Sequence, residues 1–102
     1  LAKGEPRAPR VVVVPVLTPG VHAMTLGHVV FVRRGYEHDP VLLAHEAVHV
    51  RQWHELGRWR FLRAYLGAYW RGRRSGLGHR DAYWEIPLER EARIIAGEES
   101  RP

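Results

Sequence analysis

LLAHEAVHVRQW, Leu42 to Trp53, sets a histidine, a glutamate and a second histidine in a mostly apolar run. The four-residue step from His45 to His49 puts both imidazoles on one face of an α-helix, one turn apart. Side chains so placed can reach one tetrahedral Zn²⁺ ion, and Glu46, beside the first, can reach water at the metal instead. Ala47 and Val48 between them are small and uncharged, and Val41–Ala44 is apolar. A polar helix face with solvated histidines would give the same H-E-x-x-H pattern. Against that stands a well-marked helix: Asp39 at the cap, Pro40 in the first turn and Gly57 at the end.

A third ligand must come from another element. The extended motif with a following glycine and third histidine needs glycine at 52 and histidine at 55, where this chain has Gln52 and Glu55. The candidates are His54, His79, Asp81, Glu85, Glu89 and Glu91. His54 lies five residues past His49 and points away from it. Glu89 opens a helix that begins at Pro87, and Ala92 on its face permits close helix approach. A glutamate there also suits a helix N-terminus with no metal at all. Glu89 stands ahead of Asp81 and Glu85, while Glu91 faces almost oppositely and reads as solvated.

Composition narrows the chemistry further. With 102 residues there is room for one domain, and 45% hydrophobic content suffices for its core. The absence of cysteine removes disulfides and thiolate zinc sites, leaving histidine and carboxylate ligands. The net charge of +5 suits nucleic acid or anionic lipid. Lys3 is the only lysine and asparagine is absent, which points instead to a generally arginine-rich protein. No apolar segment approaches the roughly 20 residues of a membrane span. No signal peptide is visible, so the expected location is the cytoplasm, with room for an upstream segment before Leu1.

Working outward, residues 1–10 read as a flexible arm and 11–102 as a single domain. Val11–Leu17 is a β-branched strand with Pro15 at an edge or bulge. Ala23–Val32 reads as a second strand with Gly27 as a bulge. After the His45 helix, Arg58 to Arg71 is an aromatic helix whose Phe61, Leu62, Tyr65, Leu66 and Tyr69 should form core against it. Trp53 should pack there too. Gly72–Gly78 reads as a basic loop, and the last helix runs from Pro87 to Ala96, stopping at Gly97. Strands first and helices after imply an α+β fold.

HEAVH followed by E-x-x-A at Glu89–Ala92 resembles the gluzincin metallopeptidases, and the short chain is similar to the single-domain minigluzincins. MTLGHVVFV, LLAHEAVHVRQW and AYWEIPLEREA, in that order from Met24 to about Ala96, also resemble bacterial zincin-like domains. The resemblance implies a minimal zincin-like fold with a small N-terminal β-sheet, an active-site helix and further C-terminal helices. It implies that His45, His49 and Glu89 hold zinc, that Glu46 is the general base, and that Tyr83 stabilises the oxyanion. It implies a peptidase whose extended substrate pairs with Met24–Val32 by β-augmentation. Arg51 and Ile86 depart from the pattern, where an apolar residue and an asparagine are usual.

Two other functions compete. Arg71, Arg73, Arg74 and Arg80 around a glycine-rich loop beside Trp70 suit nucleic acid, though a solvated loop explains them more simply. The aromatic helix fits core packing better than a membrane surface. The stronger alternative is a metal-binding zincin-like module with little or no catalysis, acting in protein interaction or regulation. An intact Glu46 favours the enzyme. No oligomeric state is implied.

Overall fold

A computed structural model describes residues 8–98. Three strands, β1 (Arg10–Val14), β2 (Ala23–Leu26) and β3 (Val29–Arg33), precede four helices, α1 (Pro40–Leu56), α2 (Arg58–Arg74), α3 (His79–Trp84) and α4 (Pro87–Ala96). The fold is α+β, as the order of signals implied. Of the expected arm, residues 1–7 lie outside the described residues, and Arg10 already belongs to β1, its N–H bonded to His28 O at 2.9 Å.

The sheet order is β1-β3-β2, with β1 parallel and β2 antiparallel to β3. β1 ends at Val14 rather than Leu17, with Pro15 directly after it at the sheet edge. Ala23–Val32 is likewise two strands, not one bulged strand. Gly27, at φ +65°, starts a two-residue hairpin turn that pairs Leu26 with Val29, and a left-handed first position favours glycine. The inner face of the sheet places Val30 and Val32 against Val50 of α1, with Leu42 and Leu43 alongside.

α1 begins as its sequence indicates: Asp39 Oδ1 accepts the N–H groups of Val41 and Leu42, both at 3.1 Å, and Pro40 fills the first turn. Gly57, at φ +80°, ends α1 and turns directly into α2. α2 continues to Arg74, so Arg73 and Arg74 lie on the helix and not on the basic loop. Gly72 explains the extension. A Cβ there would stand 3.2 Å from Ala82, so glycine lets α2 touch α3, a helix the sequence did not reveal. The aromatic stripe of α2 is core only in part. Phe61 is buried and stacks on Trp53 at 4.3 Å, whereas Leu66 is half exposed. α4 lies along α1 with Ala92 fully buried between them, and Gly97 ends it in the left-handed conformation.

Candidate metal centre

The i, i+4 spacing holds the His45 and His49 rings 4.9 Å apart on one face of α1. Pro87 starts α4 so that Glu89 falls in its first turn, and Ala92 lets that turn approach α1. Glu89 Oε1 lies 2.8 Å from His45 Nε2 and 3.1 Å from His49 Nε2. All three residues are buried, and their donor atoms lie within 4.8 Å of one another.

Their surroundings fix which atoms carry protons. The Gln52 amide nitrogen donates to Leu88 O at 3.0 Å and to Glu91 Oε1 at 2.7 Å. Both partners only accept, so the amide oxygen of Gln52 must be the atom 2.8 Å from His49 Nδ1. That oxygen needs an N–H, which puts the proton of neutral His49 on Nδ1 and leaves a lone pair on Nε2. His45 Nδ1 faces Glu98 Oε2 at 2.5 Å, which selects the same tautomer. Two imidazole lone pairs and a carboxylate oxygen therefore converge at one buried point. Such a set requires positive charge between its members, either protons or a metal ion.

The titration of the metal-free site follows from this. Burial opposes charge on His45, but its bonds to Glu89 and Glu98 outweigh burial and raise its pKa to about 9. Burial opposes charge on His49 as well, and the bond to Glu89 again wins, raising it. For Glu89, burial is overcome by His45 and His49, which hold its carboxyl well below the usual carboxylate range. Tyr65 donates its hydroxyl to the other oxygen of Glu89, and Tyr83 lies close to this carboxylate. Burial and the nearby Glu89 charge push both phenols up.

The residues fit a divalent ion. Two nitrogens and one oxygen converge, each imidazole is held from behind, and the carboxylate is anchored by tyrosine, the outer support that metal-binding histidines and carboxylates characteristically have. Two imidazoles and a carboxylate suit zinc and other divalent ions alike.

Glu46 is held apart from this cluster. Its carboxylate accepts the Thr25 hydroxyl at 2.9 Å, and it is 6% exposed. Burial raises its pKa, with His49 and the Thr25 bond partly offsetting that. Thr25 belongs to β2, an edge strand. The bond from Arg33 N to His22 O, 2.8 Å, sets the phase of the β2–β3 ladder. By the alternation of antiparallel pairing, the backbone groups of Ala23 and Thr25 then face the open edge beside Glu46.

The other ligand candidates lie outside the cluster. His79 pairs with the Tyr69 hydroxyl at 2.8 Å, and Glu85 makes a surface ion pair with Arg90 at 2.5 Å. His54 lines a separate groove with Val50 and Trp53, and Asp81 sits in α3, away from the three donors. Glu91, expected to be merely solvated, holds Gln52 in place. Arg51 reaches from the surface towards Glu55 and Glu91, at 3.8 and 4.0 Å. Ile86 is 1% exposed and acts as apolar packing at the start of α4.

Gln52, Glu98, Tyr65 and Thr25 are site residues the sequence did not reveal. Gln52 had a partial signal in its three-residue spacing from His49. Tyr65 resembled core, and nothing local marked Glu98. Comparison of the chain with family models, curated proteins and solved structures gave no match.

Proposed function

We propose that this chain is a zinc-dependent peptidase of gluzincin type, with Glu46 as the general base. The observation that carries this is the convergence of His45 Nε2, His49 Nε2 and Glu89 Oε1 beside a separately held Glu46 carboxylate. His45, His49 and Glu89 would hold the ion. When bound, zinc supplies Lewis acidity, polarising a carbonyl and making water a better acid.

The remaining work falls to the chain itself. Thr25 aims the Glu46 carboxylate, and burial raises that group's proton affinity towards the range useful for a base near neutral pH. Glu46 takes a proton from the attacking water at a carboxylate oxygen and passes it to the leaving amine. Gln52 and Glu98 keep both imidazoles turned inward. Tyr65 holds Glu89, and Tyr83, beside the same carboxylate, would donate its hydroxyl to a developing oxyanion. The open edge of β2 offers the N–H and C=O of Ala23 and Thr25 to an extended peptide. Leu26, next to Thr25 in β2, lines a groove of about 600 Å³ with Val50, Trp53, His54 and Arg58, which would give room for a substrate side chain.

Wild type and Glu46→Gln, both zinc-loaded, should be incubated with a peptide library and followed by mass spectrometry. Glutamine keeps the shape and leaves the ligands alone, so zinc content should persist while hydrolysis falls by about 10²–10⁴-fold. Equal cleavage by both proteins contradicts the role of Glu46. No cleavage by zinc-loaded wild type favours the metal-binding module.

A further inference from the structure

α2 contains six arginines and no acidic residue over its 17 positions. All six, Arg58, Arg60, Arg63, Arg71, Arg73 and Arg74, are exposed. On the same outward side stand Trp59, 74% exposed, Trp70, 55% exposed, and Leu66, 49% exposed. At 3.6 residues per turn these three fall within about 40° of one another, in a row about 16 Å long. Arg63 and Arg74 run beside this row, and Arg60 and Arg71 lie farther round. The Arg58 guanidinium sits over the Trp59 ring at 5.2 Å. The helix's inward side is already used, by Phe61 in the core and Tyr65 at Glu89.

We propose that the outward face of α2 docks on an anionic lipid surface. Tryptophans at both ends of an apolar row, flanked by long cationic side chains, match the interfacial helix, in which rings enter the headgroup boundary and guanidiniums meet lipid phosphates. Two other occupants fit less well. Successive bases of a single strand would need adjacent stacking platforms, but the two tryptophans stand about 16 Å apart with a leucine between them. A second copy paired through the same face would bring two all-cationic helices together. Tyr65 projects about 100–140° round α2 from the row, so it can hold Glu89 while the row meets lipid, and the proposal holds whether or not the chain is a peptidase.

The test uses vesicles of phosphatidylcholine alone and of phosphatidylcholine mixed with phosphatidylglycerol. The protein should sediment with the mixed vesicles only, with binding weakened by salt. Tryptophan emission should shift to the blue and be quenched by brominated lipid. Trp59→Ala with Trp70→Ala should lower partitioning at least about tenfold, and both sites are exposed enough to spare the fold, as circular dichroism would check. Replacing Arg60, Arg63 and Arg74 by alanine should lower it comparably, while replacing the exposed Arg90 of α4 by alanine should not. Equal binding to neutral vesicles, or binding without quenching by brominated lipid, would overturn the proposal. So would tighter binding to a single-stranded oligonucleotide, or a solution dimer abolished by the tryptophan substitutions.

Discussion

Two of the contacts that α1 makes, with the sheet and with α4, are made of opposite materials. Towards the sheet it presents Val50 to Val30 and Val32, an apolar seam that needs nothing beyond close packing. Towards α4 it presents His45, His49 and Gln52 to Glu89, each no more than 7% exposed. The first contact gains free energy by removing hydrocarbon from water. The second is favourable only while each buried polar group keeps its partner. The two seams of one helix should therefore respond differently to mutation, to pH and to metal.

The largest effect is expected at the polar seam. Glu89→Ala leaves two buried imidazoles facing each other without their shared counter-charge. In metal-free protein it should cost about 3–5 kcal/mol, the penalty for removing one partner of a buried pair, as measured by urea unfolding. A loss below 1 kcal/mol would mean that the α1–α4 contact is held by Ala92 and Ile86 alone.

Val32→Ala sharpens the contrast from the other side. Val32 is 0% exposed, and removing two methyl groups should cost about 2–3 kcal/mol. That loss should be the same with and without zinc, since Val32 has no part in the site.

The sequence revealed these two seams unequally. The His45–His49 spacing, the Asp39 cap and the Pro87 start are local signals, governed by residues a turn or less apart, and all were legible. Glu89 was legible as a candidate because Pro87 fixed its place on a helix. The support around the ligands was not. Gln52 acquires its role only because α4 brings Leu88 O and Glu91 to its amide, and Tyr65 only because α2 lies against Glu89. In the fold, the missed hairpin and the missed α3 have similar causes. Gly27 fits a bulge or a turn equally well until strand pairing decides between them, and α3, at six residues, is too short to show helical periodicity. The aromatic stripe of α2 misled because periodicity reports an apolar face without saying that solvent faces part of it.

A gentler difference should appear with pH. His45, raised from 6.5 to about 9, contributes stability to the metal-free protein that is full below pH 6.5 and is lost as pH rises towards 9. Glu89, lowered from 4.5, contributes stability that is present above pH 4.5 and is lost as pH falls through its folded-state value. Metal-free protein should thus be most stable between about pH 4.5 and 6.5. Zinc-loaded protein should keep its stability on the alkaline side, because the ion takes the place of the protons. Thermal unfolding across this range, with chelator and with zinc, would check the crossover.

The most direct measurement is zinc uptake by chelated, refolded protein, followed by titration calorimetry with X-ray absorption at the zinc edge. The expected result is one ion per chain with two imidazole nitrogens and carboxylate oxygen in its first coordination sphere. Uptake should be lost in Glu89→Ala and weakened about 10–100-fold in Gln52→Ala, which releases the His49 ring. A wild-type protein that takes up no zinc, or one whose uptake survives Glu89→Ala unchanged, would contradict a metal centre at His45, His49 and Glu89.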